Sequence, residues 1–561
     1  MHAAATAVRK KRFRSLGHRA PLLWVLVPIL SGLSLGHAGL SLPSAWIVSG
    51  AAGFAAFALA AKYAKWPPGV SAFGLCAGLT LAGLAYYDVK RPRLADWDWL
   101  PPREAELTLR VTRTFSQSRA DRASGLAVIE STAPHLRELI GQRIYFSLKL
   151  PESEAVAPPL LLRATRLEAL GVLSALSRRP EPASFEHYLD SAGVNFRFSQ
   201  GQILQVRQPA SVYRHFCARA AERFSESLGQ GIAAAHPETA GILRAMLLGQ
   251  RSELSEEQSG LFRASGTMHV FAISGLHIGI IAAAIHWLLA LLRLPHKLRL
   301  LVELSALWLY VDITGAAPSA VRAFIMVALF LLAFALRLPA NPVATLTTSA
   351  LIVVCLDPLQ IFSASFQMSY GIVAALLLIG LPLAEHWQAA WQPYAMIPKA
   401  TWSGRQHALD WLRRWGFGAL GIGVAATLVS SVTGVLFFEL FTPASLFINL
   451  LVIPAASCAI IAGFASLLCG LLHFTLGSLV ANYVAFLVLA GTETLISAVM
   501  QVPHLWFYAA FRAPWVGSVT LVALLLILLI GYSQHWSRWC RFFWPPFAVL
   551  ALGFALGVRF G

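Results

Sequence analysis

The sequence predicts a polytopic α-helical membrane protein with a small OB-like β-barrel inserted on its extracytoplasmic side, and three observations carry that class. Of 561 residues, 57% are hydrophobic and only 13% charged, a balance that excludes an ordinary soluble domain. Apolar runs near the length that crosses a bilayer, about 20 residues, recur along the chain. Between about residues 90 and 210 they give way to short segments of alternating apolar and polar side chains, the period of β-strands. The formal net charge of +17 fits the basic inner loops of any multi-pass membrane protein, and nucleic acid is one of several other causes.

The first unit, residues 1–89, holds a basic segment, RKKRFRSLGHR, and three hydrophobic spans near Pro21–Leu42, Ser44–Ala61 and Gly69–Tyr87. The first run has no A-x-A-like cleavage site and a second span follows closely, so it reads as a retained helix rather than a signal peptide. The basic N-terminus and the AKYAK loop (Ala61–Lys65) belong inside by the rule that Lys and Arg stay on the cytoplasmic face. The chain therefore leaves the third span on the outer face.

The second unit, residues 90–210, offers five strand candidates: Glu104–Arg113, Gly125–Glu130, Gln142–Leu150, Leu160–Leu170 and Val194–Gln200. About five short strands fit an OB-like barrel. Arg110, Arg113, Arg143, Arg163, Arg166 and Arg197 lie on or beside them, with Tyr145 and Phe196 among the aromatics. Basic groups track phosphates while rings stack bases, as in single-strand binders. Alternation buries one face of each strand, so for any single ring, Tyr145 or Phe196 included, a place in the barrel core is the preferred reading.

Residues 211–266 read as amphipathic interfacial helices. Ile242, Leu243, Met246 and Leu247 recur at helical spacing, and Ser255 with Gln258 makes a capping-box pattern. From residue 267 to 561 about ten membrane spans follow: His269–Leu292, Leu298–Asp312, Pro318–Leu336, Pro342–Leu356, Phe362–Leu383, Phe417–Phe438, Ser445–Leu472, Leu479–Met500, Val516–Ile530 and Phe542–Val558. The loops RLPHKLR, RLPANP, SGRQHALDWLRRWG and HWSRWCR are basic and fall on the inner side if the N-terminus does. The six cysteines form no CxxC and no Cys/His cluster, so neither a metal site nor a disulfide framework is expected. No cofactor is expected.

Polar side chains at membrane depth cost a few kcal/mol and should face protein or water. Four groups stand out. The first is HVFAISGLHIGII, with His269, Ser274, Gly275 and His277, where Ser274 and His277 share a helix face. A hydrolase would also need an acid and an oxyanion hole, and a zinc site a third ligand. Close helix packing by Ser274 and Gly275 weighs about equally with a pore-lining role. In the second, GAAPSAVRAFIM, Arg322 sits about one turn into its span with Ser319 beside it. It can snorkel to headgroups or present positive charge to an entering anion, and the anion reading is preferred. In the third, SASFQMSYG, Ser363, Gln367 and Tyr370 form one stripe. In the fourth, Asn449 and Pro454 of INLLVIP suggest a broken or re-entrant helix lining a cavity. Together they describe a hydrophilic interior more than a reaction centre.

These residues resemble the ComEC competence proteins, inner-membrane channels for DNA uptake. The likeness covers most of the chain and rests on ordered motifs: FEHYLDSAGV (Phe185–Val194), MLLGQRSELSEEQSGLFRASGTMHVFAISGLHIGII with its AISGLH core, GAAPSAVRAFIM, LDPLQIFSASFQMSYGIVAALLL and FTPASLFINLLVIP. The resemblance implies a channel carrying single-stranded DNA from the periplasm or cell exterior into the cytoplasm during natural transformation. The N-terminus would be cytoplasmic and the OB-like domain outside. The channel candidates are then His269, Ser274, Gly275, His277, Ser319, Arg322, Ser363, Gln367, Tyr370 and Asn449. Implied partners are single-stranded DNA, membrane lipid, a periplasmic DNA receptor, a cytoplasmic single-strand-binding protein and a cytoplasmic motor.

Two departures matter. Many family members end in a metallo-β-lactamase-like domain, whereas this sequence stops at Gly561 without an HxHxDH motif. Nuclease activity is therefore not assigned to it, and a separate nuclease is implied. Some members pair cysteines in the outer domain, but none occurs here between Cys76 and Cys217. A Walker A motif is absent as well. Two alternatives remain open: an intramembrane hydrolase using Ser274/His277 or His269/His277/Asp312, and a small-solute transporter.

Overall fold

The computed structural model describes residues 20–561 apart from 41, 92–93, 95–96, 98, 116–120, 151–160, 178–179, 182, 272, 339–340 and 537–542. The basic N-terminal segment, Cys540, most of the HWSRWCR loop, Phe542 and Leu160 lie outside the described residues.

Helices α1 (Leu23–His37), α2 (Ser44–Tyr63) and α3 (Pro68–Lys90) match the three expected spans. Glycines set their packing. A methyl group on Gly32 or Gly36 of α1 would run into α3, and one on Gly74 or Gly78 of α3 would crowd α2. Small residues four apart let membrane helices approach closely. Helix α2 buries only Ile47 and Ala61, which leaves most of its surface to lipid.

The next strands are β1 (Arg103–Thr114), β2 (Arg122–Thr132), β3 (Arg143–Lys149), β4 (Arg166–Ala175) and, after the short helix α4 (Phe185–Ser191), β5 (Phe196–Gln208). They close in the order β1-β2-β3-β5-β4, with β3 and β5 parallel and the other pairs antiparallel. This is the expected OB-like barrel. Alternation delivers Leu107, Leu109, Ile129, Ile144, Phe146, Leu148, Leu167 and Phe198 to a sealed core. Strand β4 starts later than Leu160, because the chain turns at Arg163–Ala164 with Ala164 at φ +71°. Leu161 still tucks into the core, so alternation continues across the turn and conceals it. Arg163 is therefore an exposed turn residue.

Helices α5 (Val212–Gly229), α6 (Pro237–Leu248) and α7 (Glu256–Ala264) follow. The Ser255/Gln258 capping box is formed. Ile242, Leu243, Met246 and Leu247 are fully enclosed, so α6 is a core helix surrounded by protein and not one lying on a membrane surface. Its charged side chains are Glu238 and Arg244, while Thr239, Ala240, Gly241 and Ala245 are buried with the apolar residues.

The remaining helices are α8 (Gly275–Leu291), α9 (His296–Ile313), α10 (Pro318–Ala335), α11 (Pro342–Leu356), α12 (Ala364–Ala375), α13 (Leu381–Ala390), α14 (Gly404–Phe438), α15 (Ser445–Leu471), α16 (Thr475–Met500), α17 (Pro514–Ser533) and α18 (Pro545–Gly557). A π-turn at Leu376–Gly380 joins α12 to α13, where Gly380 lies against Gly421 and Ala425 of α14. Among the described residues, eight helices are long and apolar enough to cross a membrane, and α1, α8, α11 and α18 are shorter apolar helices.

Three further findings differ from expectation. Helix α14 begins at Gly404, so the basic segment expected as an inner loop is its first turns, capped by Ser403 and Gln406. Helix α15 runs unbroken through Pro454, so the expected break is absent; proline is tolerated in packed membrane helices. A small sheet of β6 (Leu440–Phe441), β7 (Phe507–Phe511) and β8 (Val558–Phe560) ties together the ends of α14, α17 and α18. Its strands are too short to carry a periodic signal.

Candidate functional site

The separated motifs of the helical domain meet around the loop that precedes α8. Ser319, at the start of α10, donates to the Ile273 carbonyl at 2.8 Å. Thr442 donates to the Ala264 carbonyl at 3.1 Å, and Ser445 packs against Gly266. One turn along α10, Arg322 reaches the third motif: its guanidinium donates to Gln360 Oε1 at 3.3 Å and to the Ser365 carbonyl and Oγ at 2.8 and 2.6 Å. The Phe366 ring lies 6.0 Å from the guanidinium carbon.

Arg322 is only 1% exposed, and among the described residues no carboxylate pairs with it. The sequence pattern presents it to an entering anion, whereas in the structure it lies behind Ser365, which is exposed. Neutral acceptors hold the fork in place without cancelling its charge. An uncompensated buried charge is expensive, so this position is costly unless an anion visits it.

Ser274 caps α8 and His277 sits at its third position. The Ser274 amide donates to His277 Nδ1 at 3.3 Å, and Ser274 Oγ lies 2.9 Å from the same nitrogen. Accepting at Nδ1 requires the neutral imidazole with its proton on Nε2. His277 is wholly buried, and its Nε2 has no hydrogen-bond partner among the described residues. His269 is exposed, held at Nδ1 by the Gly266 carbonyl at 3.1 Å. Gly275 borders open space. Of the two histidines, His269 is therefore the one that water reaches.

The polar stripe on α12 is engaged by protein. Ser363 caps the helix and donates to the Gln360 carbonyl at 2.7 Å. Gln367 donates to the Ile361 carbonyl at 3.1 Å, and Tyr370 meets Ser349 at 2.9 Å in a buried contact. On α15, Asn449 is half-buried and its Oδ1 has no partner among the described residues. Asp312 is occupied elsewhere: Tyr213 and Arg214 of α5 each donate to it at 2.8 Å. It is thus unavailable as the acid of a His269/His277/Asp312 constellation. Among the described residues, no group of three or more His, Cys, Asp or Glu could hold a metal ion.

On the barrel most of the expected arginines carry partners. Glu130 takes both Arg110 at 2.7 Å and Arg166 at 2.9 Å, and Arg197 faces Glu186 at 3.5 Å. Arg143 bonds Asp357 at 3.2 Å, across to the segment just before Pro358–Phe362. That segment also carries Gln360, the partner of Arg322. A second tie joins Arg91, at the end of α3, to Asp190 of α4 and to Tyr87. Burial works against the Arg91 charge, and the carboxylate and phenol overcome it, holding the guanidinium above its ordinary value. Phe196 is core, edge-on to Trp97. Tyr145 points outward into a cluster with Phe115, Phe185 and Tyr188. The last three had no periodic signal, although Phe185 and Tyr188 lie within FEHYLDSAGV.

The fold and this site define a multi-pass helical membrane protein with a barrel docked over a polar, arginine-bearing interior. A competence protein family model matches residues 246–536, which hold all four converging motifs. The chain belongs to that family, in agreement with the resemblance to ComEC proteins. It is 23% identical over 287 residues to ComE operon protein 3 of Bacillus subtilis (strain 168), covering 47% of this chain and 36% of that protein. It is 30% identical over 145 residues to Competence protein ComA of Neisseria gonorrhoeae, 24% of this chain and 21% of that one. It is also 30% identical over 175 residues to Recombination protein 2 of Haemophilus influenzae, 29% of this chain and 21% of that one. The match thus spans about a third or less of the length of these curated relatives. No solved structure matches.

Proposed function

We propose that this protein is the inner-membrane channel that carries single-stranded DNA into the cytoplasm during natural transformation. One observation carries the reading: motifs far apart in sequence are joined by hydrogen bonds around the loop before α8, and among them Arg322 is a buried guanidinium with no carboxylate partner among the described residues. A passing phosphodiester would supply the missing negative charge transiently, and conduction requires binding that is weak enough to release. The barrel receives DNA outside, the N-terminus stays in the cytoplasm, and the candidate residues from His269 to Asn449 line or brace the path. Competence-system partners named by chemistry follow: a DNA receptor outside, a single-strand-binding protein and a motor inside, and a separate nuclease. The test is DNA uptake in a strain deleted for this gene, with imported and surface-bound DNA scored separately. Loss of imported DNA with surface DNA retained supports a channel; normal import contradicts it.

The Ser274–His277 contact at 2.9 Å favours one second reading, an intramembrane hydrolase. An acid to orient the histidine is missing among the described residues, and Asp312 is committed to α5. His277→Gln separates the two readings, because glutamine at the third helical position keeps the return half of a capping box while removing the base. The channel predicts retained import; a hydrolase predicts lost activity.

A further inference from the structure

We infer that Phe115, Tyr145, Phe185 and Tyr188, with Arg113, form a base-stacking site for unpaired nucleotides where the barrel meets the helical domain. The inference rests on the reading of this protein as a DNA channel and assigns the strand a first foothold.

The rings come from three places: Phe115 just beyond β1, Tyr145 on β3, and Phe185 and Tyr188 on α4. They form two nearly parallel pairs, Phe115 with Tyr145 (centroids 6.3 Å apart, 27° between planes) and Phe185 with Tyr188 (5.9 Å, 22°). The pairs meet steeply, with Tyr145 and Phe185 5.2 Å apart at 78°. The result is a corner with two aromatic walls. Phe185 is 46% and Tyr188 37% exposed, so both rings keep surface that a ligand can reach.

Charge selects the occupant. Arg113 lies over the Phe115 ring at 5.5 Å and donates to the Tyr188 hydroxyl at 3.2 Å. Among the described residues no carboxylate pairs with Arg113, so its charge stays open to a phosphate. Aromatic faces beside cations that track phosphates are the means by which single strands are held without sequence preference. In a duplex the base faces are already stacked on one another, so the corner discriminates against it. The location suits a foothold, because His187, on the same helix as Phe185 and Tyr188, sits 6.3 Å from Phe437 at the end of α14.

The test uses the full chain in detergent with three labelled ligands of about 16 nucleotides, near the upper site size of one OB fold: oligothymidylate, a duplex, and an abasic deoxyribose-phosphate strand. Wild type should bind oligothymidylate about ten-fold more tightly than the abasic strand. Combined Phe185→Leu and Tyr188→Leu should erase that preference while keeping the salt dependence. Arg113→Gln should keep the preference and flatten the slope of log affinity against log salt by about 0.7, the value for one phosphate contact. Phe185→Trp should keep both properties, so the site stays testable if the leucine variant misfolds. Equal binding of abasic and thymidylate strands by wild type, or a preference that survives in the leucine variant, overturns the site. Either failure with DNA import intact leaves the channel reading standing; normal import in the deletion strain removes both.

Discussion

The arginines of the barrel and the arginine of the membrane domain are the same residue under opposite physics. Arg110 and Arg166 share Glu130 on an open surface, where ion pairs contribute little and salt screens them. Arg322 is enclosed, with Gln360 and Ser365 as acceptors and Phe366 beside it, where a charge without a counterion costs several kcal/mol. The first arrangement is cheap and replaceable. The second persists against a stability cost, and such residues inside membranes mark substrate pathways.

That contrast can be broken at several points. The largest expected effect is on Arg322→Met. Removing an uncompensated buried charge should raise stability by about 1 to 4 kcal/mol, whereas a purely structural arginine predicts a loss of about 3 kcal/mol or more; a thermal unfolding scan in one detergent decides. Next comes Ser274→Ala, which removes the cap of α8 and should cost about 1 kcal/mol, measured in the same way. If stability is unchanged, the Ser274–His277 contact is not a cap. A double-mutant cycle on Arg143→Gln and Asp357→Asn should return a coupling of about 0.5 to 1 kcal/mol, because the pair is only half-buried. A coupling near zero would mean that this bond does not hold the barrel to the helices. The smallest effect belongs to Arg110→Ala, within about 0.5 kcal/mol of wild type in stability, with a slightly weaker salt dependence of DNA binding.

Much of this fold was legible in the chain. The span Pro342–Leu356 was placed to the residue, and Ser445–Leu472 and Pro318–Leu336 to within one, because a long apolar run flanked by proline or polar residues admits few alternatives. Five alternating segments announced the barrel. The first turns of α14 were missed because Arg405, Asp410, Arg413 and Arg414 make them read as a loop, although Arg413 and Arg414 both pair with Asp410 on the helix. At the site, Arg322 and Ser319 stood out as polar residues in an apolar run, but Ser365 and Gln360 lie off the stripe that periodicity picks out. The aromatic corner is tertiary: residues 115, 145, 185 and 188 share no period, and only closure of the barrel brings them together. Asn449 and Pro454 misled for the opposite reason, since proline removes one hydrogen bond and neighbouring helices hold α15 straight regardless.

The most direct measurement compares imported DNA in a deletion strain carrying wild type, Arg322→Ala or Arg110→Ala at equal membrane levels, with surface-bound DNA scored in parallel. Import should be near normal for Arg110→Ala, and for Arg322→Ala it should be lost while surface-bound DNA persists. Normal import with Arg322→Ala, or an equal loss in both variants, would contradict this.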